Sequence, residues 1–312
     1  MHEVIVIGGG FSGLAACWEL ERRGVPYLLV EVKRTLGGSL RSQQVNGLWL
    51  DQGAAAFLDT LPPDFWDELG LADQRITIRE GVAALRRGMG QLIDALAQRL
   101  RSPRMMQTAV SSLGPLGDQW GVCMENGVLI SAPRVIVAAP ARYAARMLIN
   151  PLPEAIPMLA EFVYSEIVYV ALVFRRDEIS DRLHFFRDVA YVYALRVDDP
   201  ARAGDGQVMF HVAVRFNPQA HDPQAIVDYL LETVGLPRPV AWSVGHWPES
   251  DPLSVFHDDH AERMAALMHM LPPRMALINS DFTLEHSPHS GIVRLDERWS
   301  AAQEAVAKVL DT

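Results

Sequence analysis

The chain has 312 residues, 49% hydrophobic and 21% charged, with a net charge of −10 at pH 7. That is enough apolar material for one large or two ordinary domains and rules out a disordered chain. The acidic balance argues against a nucleic-acid partner, and no apolar run approaches the length of a membrane span.

In chain order, Val4-Ile5-Val6-Ile7 reads as a buried parallel strand. Gly8-Gly9-Gly10-Phe11-Ser12-Gly13 follows without a gap, and residues 14–23, rich in Leu, Ala, Glu and Arg, read as a helix that Gly24 ends. A second strand, Tyr27-Leu28-Leu29-Val30, finishes on Glu31. Gly8, Gly10 and Gly13 thus hold the G-x-G-x-x-G positions of a dinucleotide-binding βαβ unit, with the acid at its usual spacing. Gly8 permits the tight turn, Gly10 the close approach of a diphosphate, and Gly13 the close packing of helix on strand. The N-terminus of that helix offers unpaired N–H groups and a partial positive charge to the diphosphate, and Phe11 and Ser12 of the loop are expected among the cofactor contacts. Glu31 can accept hydrogen bonds from both adenosine ribose hydroxyls. The alternative is a glycine-rich turn in an unrelated α/β protein, but strand, helix and acid agree on a nucleotide site. The strand is also too short for a secretory h-region, and the two cysteines, Cys17 and Cys123, read as buried free thiols. The expected location is cytoplasmic.

A second loop follows. Gly37-Gly38, Arg41-Ser42 and Leu50-Asp51-Gln52-Gly53-Ala54 resemble the extended FAD signature of the flavin-containing amine oxidase and protoporphyrinogen oxidase superfamily. A nicotinamide dehydrogenase has no need of it. The resemblance implies that Val32, Gly37, Gly38, Ser39, Leu40 and Arg41 join the cofactor contacts, with Gly53 and Ala54 near the flavin. Thr35 and Ser39 stand where relatives often carry arginine, which leaves Arg34 and Arg41 to supply positive charge.

Residues 55–85 show little pattern beyond a short helix that Pro62-Pro63 opens at Asp64. Leu92, Ile93, Leu96 and Leu100 form an apolar stripe at helical spacing, in a stretch resembling the family's G-G-M-x-x-L-x-x-A-L helix. A strand is expected over residues 105–113, carrying Val110 where relatives contact the adenine. Asn126-Gly127 between alternating runs is a hairpin signal. Residues 135–140 read as a buried strand, and Ala139 falls in the turn that leads the superfamily's chain back to the flavin.

Prolines 151, 153 and 157 mark a boundary. Beyond it come antiparallel strands over residues 167–174, 189–196 and 208–216 and a helix over 223–234. Tyr169, Tyr191, Tyr193 and Trp242 are either substrate-lining or ordinary sheet-face residues. His246-Trp247-Pro248, Pro252 and residues 257–260 resemble a protoporphyrinogen oxidase segment. His257, His260, His286 and His289 raise a metal site, but no cysteine or regular ligand set accompanies them, and no metal is expected. The strand 275–281 resembles one whose final acid, here Asp281, bonds a ribityl hydroxyl. The closing helix, residues 297–310 with Asp296 as N-cap, resembles the one that points at the flavin ring. Relatives enter that helix through E-G-A and S-G; this chain has Val293-Arg294-Leu295 and Glu297-Arg298.

The expected architecture is α/β: a Rossmann-like FAD-binding domain (residues 1–60, 85–150 and 275–312) with an inserted α+β substrate domain of antiparallel strands (61–84 and 151–274). The expected function is an FAD-dependent oxidoreductase with non-covalent FAD, removing a hydride from an amine-like or reduced heterocyclic substrate and reoxidised by oxygen. A porphyrinogen, or a reduced dinucleotide as in renalase-like relatives, stays open as substrate. So does a degenerate flavoprotein that binds FAD without chemistry. The sequence singles out no catalytic residue and no oligomeric state.

Overall fold

Val4–Ile7 is the central strand of a five-stranded sheet in a computed structural model that describes residues 2–164, 166–180, 191–215, 222–249, 258–283 and 292–311. It pairs in parallel with Tyr27–Val30 on one side and Arg134–Val137 on the other, in the order expected of a nucleotide-binding unit. Arg104–Met105 and Met275–Leu277 complete the two edges. Both faces of such a sheet are covered, so its strands read as unbroken apolar runs.

Alternation sorts the side chains between two cores. Val4, Val6, Leu29 and Ile136 face the helices Phe11–Arg22 and Leu295–Asp311, which meet through Trp18 and Trp299 with ring centroids 4.9 Å apart. Ile5, Ile7, Val30 and Val137 face the helices Ala141–Leu148 and His260–Met270. Leu14, inaccessible to solvent in the first core, illustrates the energetics: truncation to alanine at such a site costs about 2–5 kcal/mol.

Several boundaries differ from the sequence reading. The first helix begins at Phe11, directly after the glycine loop. The single strand expected over 105–113 is two: Arg104–Met105 joins the parallel sheet, and Val110–Leu116 joins an antiparallel sheet with Gln119–Met124 and Leu129–Ala132. Gln107, at φ 54, turns the chain between them. Residues 55–85 hold three short strands, Ala56–Leu58, Arg75–Arg79 and Val82–Leu85, which form a sheet with Ile292–Val293. Runs of three to five residues are too short for periodicity to register. Leu61, Phe65, Trp66 and Leu69, expected with the substrate domain, pack in the first core beside Trp18 and Trp299. The closing helix starts at Leu295, so Asp296 lies within its first turn rather than capping it.

The remaining layer is a four-stranded antiparallel sheet, ordered Tyr191–Val197, Gln207–Arg215, Ile167–Arg175 and Ala241–Trp247. Val168, Val170, Leu172 and Phe174 alternate toward one face, where the helix Pro223–Val234 covers them. Period-two geometry puts Tyr169, His211, Ala213, Ser243 and Trp247 on the other face. That face meets the hairpin formed by Ser42–Val45 and Leu48–Asp51. Among the described residues no helix is long and apolar enough to cross a membrane.

Candidate functional site

A cavity of about 520 Å³ lies at the carboxyl ends of the parallel strands, where open α/β sheets place their ligands. Gly8, Gly10, Phe11 and Ser12 line it after the first strand, and Glu31, Val32 and Lys33 after the second. Ala139, Asn279 and Ser280 contribute from the other side of the sheet. Thr108 and Val110 come from the turn into the small antiparallel sheet. Across the cavity stand Ile167, Tyr169, Ala213 and Trp247 from the four-stranded sheet, and Arg294, Glu297 and Arg298 from the start of the closing helix.

The three motif glycines have different surroundings. A Cβ on Gly13 would lie 1.9 Å from the Gly8 carbonyl oxygen, so helix and strand approach too closely for any side chain. Gly8 sits at φ 107, and a Cβ there would come within 2.4 Å of the Ala138 carbonyl. Gly10 has an ordinary φ of −73, and a Cβ there would meet nothing nearer than the Gly38 Cα at 3.9 Å. The space in front of Gly10 is cavity. Its glycine leaves room for a ligand, whereas Gly8 and Gly13 make room for protein.

Glu31 is buried, and both its oxygens are engaged. Oε2 accepts the Gly9 N–H at 2.5 Å and Oε1 the Lys33 N–H at 2.6 Å. The carboxylate therefore holds the glycine loop against the end of the second strand while still facing the cavity.

Of the residues expected to contact the cofactor, Gly37, Gly38, Ser39, Leu40 and Ala54 also line the cavity. Four other expected contacts do not. Gly13 lies behind the loop. Gly53 abuts Ser39, whose carbonyl would be 1.7 Å from a Cβ. Arg41 lines a separate cavity of about 200 Å³ with Trp49 and Arg87. Asp281 is fully buried and turned inward, its Oδ2 accepting the Ala141 N–H at 2.8 Å and the Tyr164 hydroxyl at 2.5 Å. Burial pushes its carboxyl above the usual range, against those hydrogen bonds. Its neighbours Asn279 and Ser280 face the cavity instead.

Two contributors escape sequence reading. Lys33 supplies a cation that Arg34 and Arg41 do not, its Nζ lying 4.4 Å from the centroid of the Trp247 ring. Trp247 in turn donates its Nε1–H to the Gln52 carbonyl at 2.5 Å, which ties the antiparallel sheet to the second loop. The alternation of its strand could have singled out Trp247. Trp242, on the opposite face of the same strand, packs toward the covering helix and does not line the cavity. The side chains of Tyr191 and Tyr193 lie outside the described residues, as do Pro252, His257, His286 and His289. His260 is buried against Phe162, its Nε2 3.1 Å from the Thr283 carbonyl. Among the described residues no group of three metal-ligating side chains assembles.

A bound FAD fits these features on two counts: the open cradle before Gly10, and a buried acid at the end of the second strand.

Comparison with known proteins agrees. Residues 6–69 match the NAD(P)-binding Rossmann-like domain, and residues 63–293 match the family described as flavin containing amine oxidoreductase. Among curated proteins, protoporphyrinogen oxidase 2, chloroplastic/mitochondrial, of Arabidopsis thaliana is 36% identical over 93 residues, covering 26% of this chain and 18% of that protein. Coproporphyrinogen III oxidase of Propionibacterium freudenreichii subsp. freudenreichii is 36% identical over 89 residues, covering 27% and 17%. The matched stretches are thus under a fifth of those relatives' lengths. Among solved structures, one from Exiguobacterium sp. 255-15, provisionally named a protoporphyrinogen oxidase, superposes with a TM-score of 0.78 at 13% identity, covering 100% of this chain and 99% of that one. Putrescine oxidase bound to putrescine superposes with a TM-score of 0.70 at 14% identity, covering 100% and 99%. At those identities the likeness carries the fold alone.

Proposed function

The chain belongs to the flavin-containing amine oxidoreductase family, and from that premise we propose that it is an FAD-dependent enzyme that oxidises an amine-like or reduced heterocyclic small molecule, with oxygen as reoxidant. Bound non-covalently, FAD supplies the two-electron acceptor that takes a hydride from the substrate carbon. The observation that carries the reading is a cavity running from the glycine loop to the inner face of the antiparallel sheet. Cofactor and substrate can therefore share one space.

Each group has a role in this proposal. Gly10 and the first-turn N–H groups of Phe11 and Ser12 take the diphosphate, with Gly37 to Leu40 lying along it. Glu31 holds the loop and offers its remaining lone pairs to the ribose. Ala54, Val110 and Ala139 pack against the rings. Tyr169 and Trp247 form the substrate wall, and Trp247 with Lys33 closes part of the mouth against water. Residues 151–274 supply most of the substrate side, and the remainder of the chain most of the cofactor side.

The visible spectrum of the purified protein and the flavin released on denaturation test the cofactor. A colourless protein that takes up no FAD would overturn the proposal at its base. Anaerobic mixing with amines, porphyrinogens and reduced nicotinamide nucleotides tests the chemistry. Bleaching of the flavin by one class identifies it; no bleaching by any favours an FAD-binding protein without turnover.

A further inference from the structure

The strand Ala241–Trp247 and the turn after it, as far as Glu249, are tied to the nucleotide-binding half of the chain at a fixed root and a lighter tip. At the root, a Cβ on Gly245 would lie 1.8 Å from the Gln52 carbonyl oxygen, so the strand rests directly on the backbone of the second loop. The Trp247 indole donates to the same carbonyl. The tip is held from two sides. Lys33, just past the end of Tyr27–Val30, places its Nζ 4.4 Å from the centroid of the Trp247 ring. Glu249 accepts from the Tyr143 hydroxyl at 2.6 Å and lies 3.7 Å from Arg142, both on the helix that follows Arg134–Val137.

Tyr27–Val30 and Arg134–Val137 flank the central strand Val4–Ile7, one on each side. A segment tied beyond the ends of both therefore bridges the carboxyl end of the central strand, where the glycine loop begins. Lys33, Tyr143, Trp247 and Glu249 all line the same cavity as Gly8 and Gly10. Root and tip also differ in kind. Gly245 meets Gln52 at its backbone, whereas Lys33 and Tyr143 are exposed side chains whose heads can swing into water. An exposed cation–π pair and a part-solvated hydrogen bond are each weak, so the tip can come free while the root keeps its place.

We propose that residues 247–249 form a strap across the dinucleotide, and that its release from Lys33 and Tyr143 is the step that admits and frees FAD. The inference rests on the FAD reading and adds the route of cofactor exchange to it. Each latch contact joins two protein groups, so its loss eases opening equally with the cofactor inside or outside. Weakening such a gate raises the association and dissociation rates by the same factor and leaves Kd where it was. Removing an ordinary binding contact raises the dissociation rate alone.

The test measures both rates. Association is followed by the change in flavin fluorescence on mixing apoprotein with FAD. Dissociation is followed by exchange of radiolabelled FAD on the holoprotein against an excess of unlabelled FAD. Tyr143→Phe should raise both rates roughly tenfold and Lys33→Met about two- to fivefold, with Kd changed by less than about twofold in each. Either variant carries the test if the other fails to fold. Unchanged rates in both variants overturn the proposal. So does faster dissociation with unchanged association and a weaker Kd, which would make these residues ordinary contacts of the cofactor. A wild type that takes up no FAD removes the cofactor reading and the gate together, whereas FAD uptake with unaltered rates in the variants removes the gate alone.

Discussion

Arg202 donates to Asp51 Oδ2 at 2.5 Å, and neither side chain is reached by solvent. Asp51 also accepts from the Ser42 hydroxyl at 2.6 Å and the Met89 N–H at 2.7 Å, while Arg202 donates to the Trp49 carbonyl at 2.5 Å. The acid of the D-Q-G-A stretch is therefore a structural hub. It anchors the second loop to the segment that leads into the Gln207–Arg215 strand, and it does not face the cavity.

Removing one member of a buried pair leaves the other charged and unpaired. Arg202→Met should cost about 3–5 kcal/mol, read as a lower urea midpoint with an unchanged slope. A loss below about 1 kcal/mol, the range of exposed pairs, would show that the surroundings reorganise and that the pair does not anchor the loop.

The glycines of the first loop separate folding from binding. Gly10→Val should fold and lose FAD, because the added side chain projects into the cavity. Gly13→Val should fail to fold, because its Cβ would overlap the Gly8 carbonyl. Normal FAD content in Gly10→Val would show that the diphosphate lies elsewhere.

Glu31→Gln replaces one acceptor oxygen with a donor facing a backbone N–H. Hydrogen bonds to a charged group are worth about 1.5–3 kcal/mol, so FAD affinity should drop roughly ten- to a hundredfold. Because Glu31 also holds Gly9 and Lys33, thermal stability without FAD should fall as well. Flavin-fluorescence titration and melting of the apoprotein measure the two effects. Unchanged values in both would leave the acid without a role.

His211 is buried with its Nε2 3.1 Å from the Asp51 carbonyl, and burial depresses its pKa from 6.5. A group depressed in the folded state contributes stability above the unfolded pKa that is lost as pH falls. Unfolding free energy should therefore decline below pH 6.5, by up to about 1.4 kcal/mol per unit from this residue until the native imidazole protonates. His211→Gln should flatten that part of the profile. An identical acid limb in the variant would assign it to other groups.

Cys17 is sealed in the first helix, and burial pushes its thiol far above the ordinary value. Cys123 is part-exposed. Ellman's reagent should titrate one thiol quickly in the native protein and the second only on unfolding. Two fast thiols would show that the helix opens readily.

Much of this protein was legible because its signals are local. The strand Val4–Ile7, the glycines, Glu31, the Asn126-Gly127 hairpin and the helix Pro223–Val234 each depend on neighbours within a few residues, and each element lies where periodicity and turn chemistry put it. The cofactor class followed from the same contiguous stretch. What the tertiary structure alone decided depends on which face of a strand or helix meets a partner far along the chain. Asp51 and Arg202 are 151 positions apart. Lys33 meets Trp247, Asp281 turns toward Ala141 and Tyr164, and Arg41 is directed to a second cavity. A buried polar side chain goes where its hydrogen bonds can all be made. For Asp281 that place is inside the protein, although the motif points to the ligand.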